Sequence, residues 1–323
     1  MNNRQKLVAA WVALTITSTV FAQSYPVKPI RIIDGFPPGG ATTFIGRVVG
    51  ERLTERIGQP IVIDNRPGAG SNLAAAIAAR ATPDGYTLFM ALTSSVAPAP
   101  SLYPHLDYNV LNDFAYVGLL ATGSFVLVVH PSLPVQTIAD LVAYAKTKPQ
   151  ELRYGSGGIA TPLHLAMELL RGRTGIDLIH VPYKGAGPLV VALTGGEIQL
   201  GFSSVAGAIP MISAGRLRAI AVTSAKRAKA LPDVPTIEQS GLSNFDVTGR
   251  YGLLAPLATP AAIIRRLNSE TALIVALPEV EAKLNTVGIE SATSTPEGFK
   301  QIMRGEVAQW AKVIRDAKIT AVD

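Results

Sequence analysis

Apolar residues recur along this chain in two alternating rhythms. Short runs rich in β-branched side chains, "IRIID" (30–34), "IVID" (61–64), "TLFMAL" (87–92) and "FVLVV" (125–129), predict buried strands. Between and after them, "TTFIGRVVGERLTERIG" (42–58), "LAAAIAAR" (73–80), "IADLVAYAKT" (138–147) and "PLHLAMELLRGRTG" (162–175) carry apolar residues at helical spacing. Gly58 is placed to stop the first of these helices. "LRYGS", "DLIHV" (177–181), "LVVALTGG" (189–196), "IQLGF" (198–202) and "LRAIAVT" (217–223) continue the alternation. Strand following helix in this way predicts βαβ units and an α/β fold with a largely parallel, Rossmann-like sheet.

Two stretches break the rhythm. "AYVGLLATGSFVLVVHP" (115–131) is one long apolar run with no helix between its halves, and "FDVTGRYGLLAP" (245–256) is another. A single large sheet accommodates them; so do two lobes joined by strands that pass from one to the other. The second arrangement gives a first lobe at 24–122 completed by 248–323, a second lobe at 123–247, and a hinge at the two crossings. Beyond residue 260 the pattern is helical, and Pro opens each segment, as suits a first helical turn.

The first residues read as a secretion signal. Arg4 and Lys6 precede the apolar run "LVAAWVALTITSTV", and Val20 and Ala22 offer small side chains before cleavage after Ala22. A membrane anchor is the alternative, but a spanning helix needs about 20 apolar residues, and Thr and Ser interrupt this run. The expected location is the periplasm. Cleavage at 22 removes two bases and no acid, so the net charge falls from +6 to +4. The remaining Lys and Arg form no long run, which argues against a nucleic-acid partner. With no Cys, disulfides and thiolate chemistry are excluded, and the cores alone must hold the fold.

Candidate chemistry lies in two similar loops, "FPPGGAT" (36–42) and "YGSGGIAT" (154–161). Each follows a strand, and each ends in a Thr placed to cap the next helix. In an open parallel sheet such loops lie beyond the carboxyl ends of the strands, where ligands bind. Helix N-termini present amides without intrahelical partners, and glycine lets a ligand approach them. One loop alone does no more than turn the chain; two matched loops in opposing lobes favour a shared anion. Micromolar binding needs about 8 kcal/mol. One helix terminus supplies up to about 2 kcal/mol and a charge-assisted hydrogen bond about 1.5–3 kcal/mol, so two loops closing on one ligand suffice where one does not.

Three other patterns carry less. "IVIDNRPGAGSNLAAAIAAR" imitates a dinucleotide fingerprint, but Leu73 stands at its third small position and no acid ends the next strand, so no nicotinamide cofactor is expected. His164 and Glu168 stand one helical turn apart without a third ligand nearby, so packing or hydrogen bonding is expected there and no metal. There is no G-x-S-x-G elbow to support hydrolysis.

The strings "FPPGGATT", "IGQPIVIDNRPGAGSNLAA", "ATPDGYTLFM", "SLYPHLDYNVLNDF", "IHVPYKGAGPLVVALTGGEIQLGF", "GRLRAIAVTSAKRAKALPDVPTIEQSGL" and "YGLLAPLATP" occur in this order. Together they resemble the Bug family, the extracytoplasmic solute receptors of tripartite tricarboxylate transporters, over nearly the whole mature chain. The resemblance implies a type II periplasmic binding protein fold, with two lobes, a hinge and an interlobe cleft. It implies a small carboxylate bound there and a membrane permease as partner; a monomer without cofactor is expected. Its implied ligand contacts fall on Phe36, Gly39, Gly40, Ala41, Thr42 and Thr43. They continue on Thr93, Ser94 and Ser95, on Gly157, Gly158, Ile159, Ala160 and Thr161, and near Ser203 and Arg250.

This chain departs from the family's pattern at three of these places. Thr43 and Ser203 stand where the family usually has Asp, and Arg250 where it commonly has Trp. With two acids lost and one base gained, a ligand richer in negative charge is expected, either a dicarboxylate or an aromatic acid stacked on Phe36. Arg250 then pairs with a carboxylate; its alternative is a surface position beside the hinge. Two other classes of function stay open at this point. A sensor feeding a membrane signalling partner needs the same closure, and a cleft enzyme needs converging acid–base residues. The loops supply backbone donors, Thr and Ser, which favours binding without turnover.

Overall fold

A computed structural model describes residues 25–320, and the predicted signal at 1–22 lies outside the described residues. The chain opens with β1 (Ile30–Asp34), α1 (Ala41–Ile57), β2 (Ile61–Asn65), a 3₁₀ turn at Ala69–Ser71, α2 (Asn72–Ala79) and β3 (Thr87–Leu92). Two short helices follow, α3 (Thr93–Val96) and α4 (Ala99–Leu102), then the long strand β4 (Phe114–Val129). Next come α5 (Ile138–Thr147), β5 (Arg153–Ser156), α6 (Pro162–Thr174), β6 (Ile179–Pro182), α7 (Ala186–Gly195) and β7 (Leu200–Ser204). α8 (Val205–Ser213), β8 (Arg218–Val222) and β9 (Thr248–Pro256) lead to α9 (Ala261–Val275), α10 (Pro278–Asn285), β10 (Ile289–Ser291) and α11 (Pro296–Asp316).

Strand order runs β2-β1-β3-β9-β4-β7-β5-β6, with β8 and β10 also on β4. The unbroken apolar run is one strand of 16 residues, about 50 Å long. Its first half pairs with β9 and β10, and from Phe125 onward it pairs with β7 and β8. The expectation of a largely parallel sheet needs correction. β1, β2 and β3 pair in parallel, as do β5, β6 and β7, but every pairing made by β4 or β9 is antiparallel. β4 leaves the first half and β9 returns to it, so the two run against each other.

Burial follows the strand period. In β1, Ile30 and Ile32 face α1 and join Leu53, Leu88 and Leu253 in one core, while Ile33 faces the other way. That second core is continuous from Ile33 and Phe89 through Trp310 of α11 to Val126–Val129 and Phe202. α11 thus packs against both halves, and Phe299, Met303 and Trp310 on its inner stripe are at most 1% exposed. Gly58 ends α1 in the left-handed region at φ +71°. No helix among the described residues is long and apolar enough to cross a membrane.

Candidate functional site

The first loop is shaped by Asp34, the fully buried last residue of β1. Its Oδ1 accepts the Phe36 N–H at 3.2 Å; its Oδ2 accepts the hydroxyls of Thr42 (3.1 Å) and Thr43 (2.5 Å) and the Asn65 amide (3.1 Å). The same Asn65 nitrogen donates to Phe36 O and to Thr43 Oγ1, both at 2.8 Å. Phe36 is therefore pinned at its N–H and its C=O, and Pro37–Gly40 project as an exposed arch. Gly35 lets β1 meet the 3₁₀ turn, since a Cβ there would lie 2.0 Å from Ser71 Oγ.

Neither Thr expected to cap its helix does so. α1 begins one residue earlier, at Ala41, with Gly40 as N-cap and no side-chain cap, because the Thr42 hydroxyl is spent on Asp34. Its first-turn amides are left to whatever lies in front of them. Thr161 does occupy the N-cap of α6, but its hydroxyl turns back to Gly158 O at 2.8 Å.

A cavity of about 280 Å³ opens in front of the α1 N-terminus. Gly39, Gly40, Ala41 and Phe44 form one wall, and Ser204, Val205 and Ala206, at the start of α8, form the opposite one. Gly123, Ser124 and Phe125 of β4 make its floor where that strand leaves the first half, and Tyr251 and Gly288 complete it. Ser204 caps α8 through the Gly207 N–H at 3.2 Å. A second hollow of about 340 Å³ shares Gly40, Ala41 and Tyr251 and reaches Phe36 and Thr42. Among the described residues, no charged side chain lines either space.

The sequence-predicted residues follow or end strands at their carboxyl side, except Thr42 and Thr43, which lie in the first turn of α1, and Arg250, the third residue of β9. Thr93–Ser95 follow β3, and Leu92 pairs with Tyr251, next to Arg250. Ser203 pairs with Val126 and Ser204 with Phe125. Gly157–Thr161 follow β5, one strand further from β4 than β7. Not all of these residues are open. Thr42, Thr43, Thr93, Ser94 and Ser203 are buried; Phe36, Ser95, Gly157, Gly158, Ala160, Thr161 and Arg250 are half-buried; Gly39, Gly40, Ala41 and Ile159 are exposed. The first loop borders the 280 Å³ cavity; the second does not line it and rests instead on the 183–186 loop, with Gly185 N–H donating to Gly157 O at 3.1 Å.

Arg250 is already partnered. It donates to Glu306 Oε1 at 2.7 Å and to Asp246, and Thr93 Oγ1 donates to the same Glu306 oxygen at 2.9 Å. Burial pushes Glu306 up to about 7, against the pull of Arg250 and Thr93. Burial also opposes the charge of Arg250, but Glu306 and Asp246 outweigh it and hold its pKa above the usual value. The inference from three substitutions to a more basic site is thereby revised. Two carboxylates offset Arg250, and the Asp34 carboxylate stands against Thr43.

At the second loop, His164 Nδ1 accepts the Ala160 N–H at 3.0 Å, so the helix-face histidine is a hydrogen-bonding residue, as its isolation suggested. Glu168 is taken by the Tyr154 hydroxyl (2.5 Å) and Arg171 (2.7 Å). Burial lowers His164, and burial with the neighbouring ring lowers His180 to about 4.

Periodicity missed α8. β7 runs straight into it through Ser204, and Pro210 inside the helix hides its pattern. Phe44, Phe125 and Tyr251 were missed as cavity residues because they lie far apart in sequence and read as core.

The chain's similarities agree with this architecture. Residues 45–319 match the family model described as the tripartite tricarboxylate transporter family receptor. BugT of Bordetella pertussis is 33% identical over 302 residues, covering 93% of each chain. An R. palustris protein solved with adipate is 32% identical, with a TM-score of 0.79, covering 92% of this chain and all of that one. MatC from Rhodopseudomonas palustris, solved with malate, is 28% identical, with a TM-score of 0.75, covering 90% of this chain and all of that one. The chain therefore belongs to the tripartite tricarboxylate transporter receptors, the family of the Bug proteins, whose members bind solutes and are not enzymes.

Proposed function

We propose that this receptor works in the periplasm, takes a small dicarboxylate into the cavity between α1 and α8, and delivers it to a membrane permease. One observation carries the reading. Two helix N-termini, one from each side of the β4 crossing, face a single space whose other walls are mainly apolar, with Phe44, Phe125, Tyr251 and Ile289 beside Ser124 and glycine backbone. An anionic group at each end meets first-turn amides, and an apolar midsection meets the walls. At about 280 Å³ the cavity falls below the usual drug-sized range, which suits a compact ligand. The relatives solved with adipate and malate hold ligands of this class.

Residues 24–122 with 248–323 act as one lobe and 123–247 as the other. Closure brings Thr93–Ser95 and Gly157–Thr161, on the same strand edges, toward the ligand. Arg250 then serves as a half-buried strut between Glu306 and Asp246, and its guanidinium supports the wall more than it meets the ligand.

A thermal-shift and calorimetric screen of adipate, malate, matched monoacids and zwitterionic amino acids tests this. A dicarboxylate at 100 times its dissociation constant stabilises the fold by about 2.7 kcal/mol. A monoacid of equal length binds up to about 30-fold more weakly, the worth of one helix terminus. Preference for amino acids, or no acid bound at millimolar concentration, discards the reading.

A further inference from the structure

The second glycine loop contains a residue in an unfavourable conformation. Ala160 has φ +61°, in the left-handed region that glycine adopts freely and alanine does not. The side chain that secures it is His164, one helical turn further on, whose Nδ1 accepts the Ala160 N–H at 3.0 Å. A backbone N–H only donates, so Nδ1 carries no proton and the ring is neutral, with its hydrogen on Nε2. His164 stacks on His180 at 4.1 Å between ring centroids, and His180 stacks on Tyr154 at 4.7 Å. His180 Nε2 lies 2.7 Å from Ser156 Oγ, and that oxygen accepts the Gly158 N–H at 3.2 Å. Ser156 Oγ also donates to Gly158 O at 2.9 Å, so of the two positive-φ points of the loop Ala160 is held by His164 directly and Gly158 by Ser156, which His180 contacts.

We propose that His164, backed by His180, is a positioning residue for the ligand wall Gly157–Thr161, and that this wall keeps its shape only while both imidazoles are neutral. A proton on His164 Nδ1 sets N–H against N–H at Ala160 and frees a strained residue. A proton on His180 places positive charge against a parallel ring in a partly buried stack. The groups facing the pair are Tyr154 and Ser156 from β5 and Glu168 and Arg171 from α6. Glu168 Oε1 stands 3.9 Å from His164 Nε2 and favours a proton there, but Tyr154 and Arg171 already engage it. Burial outweighs Glu168 and lowers His164, while Arg171 adds to the lowering.

This inference rests on the proposed contact between Gly157–Thr161 and the ligand, and its test separates the two. The chain lacking residues 1–22, ¹⁵N-labelled, is titrated from about pH 7.5 to about pH 3.5 by NMR, with adipate and malate binding measured calorimetrically at both ends. The Ala160 and Gly158 amide signals are expected to follow the imidazole signals. His164→Asn keeps an acceptor near the Nδ1 position that does not titrate, so its pH profile reports protonation of the acids and of His180 without that of His164. His164→Phe keeps the stack and removes the acceptor. Beyond the change seen in His164→Asn, the wild-type chain is expected to lose about tenfold in affinity on acidification, and His164→Phe to bind about fivefold more weakly at both ends. Amide signals that ignore the imidazoles, or a His164→Phe chain with unchanged Ala160 signal, overturn the positioning role. Amides that follow the imidazoles while affinity does not change overturn the ligand-wall reading and leave His164 as the loop's anchor.

Discussion

The two glycine loops look alike in sequence and occupy equivalent places, each beyond the carboxyl end of a strand, yet different chemistry holds them. At the first, the anchor is Asp34, a buried carboxylate that accepts the Phe36 N–H, two hydroxyls and an amide. At the second, the anchor is His164, an imidazole that accepts one backbone N–H, supported through His180 by a serine hydroxyl. A carboxylate has lone pairs for several donors at once and draws β1, β2 and α1 together around one point. A neutral imidazole offers a single acceptor and loses it on gaining a proton. The base of the first loop is accordingly tied into the core while its Pro37–Gly40 arch stays exposed, and the second is a locally held turn whose geometry answers to acid.

Substitutions at each anchor sharpen the contrast. The largest effect belongs to Asp34→Ala, which leaves the buried Thr42 and Thr43 hydroxyls and the half-buried Asn65 amide with fewer acceptors. It is expected to cost about 3 kcal/mol or more in urea unfolding, and a loss under 1 kcal/mol would show that the carboxylate does not organise the loop. Gly35→Ala comes next. Its methyl meets Ser71 Oγ at 2.0 Å and forces the 3₁₀ turn away, an overpacking cost of about 1–3 kcal/mol. The corresponding Gly158→Ala change in the second loop meets no atom closer than 3.5 Å, so any cost there comes from its φ of +132°.

Acid sensitivity follows in size. His180 is held below its ordinary 6.5, at about 4, by burial and by the adjacent ring. Its contribution to stability is complete above about pH 6.5, where folded and unfolded chains both carry the neutral ring. It drains away as pH falls toward about 4, because the unfolded chain takes up the proton first. Discounted for the half-exposed ring, the loss amounts to about 2 kcal/mol. Chemical unfolding at a series of pH values should show this decline in the wild-type chain and a shallower one in His180→Phe. The smallest effect is expected of Thr161→Val, which removes the bond to Gly158 O and costs about 1 kcal/mol. Destabilisation far beyond that in a thermal melt would mean that Thr161 holds more than its own loop.

The 2.0 and 3.6 periods already marked every strand except β10, which falls in the stretch read as helical, along with most of the helices and the two crossing strands, because each pattern is written in neighbouring residues. Family strings fixed the receptor class. They also drew attention to the first loop, to Thr93–Ser95 and to the β9 start, all of which the fold brings to strand edges. What the sequence could not settle is which polar groups meet. Asp34 reaches Asn65 across a strand register, Thr93 reaches Glu306 over 213 residues, and Arg250 reaches both Glu306 and Asp246. The cavity likewise draws Phe44, Phe125 and Tyr251 from three remote segments onto one surface. Periodicity is a property of adjacent residues and determined the elements. Pairing register and the packing of α11 across both halves are properties of the whole chain, and only they decided which charges are already paired and which residues line the cavity.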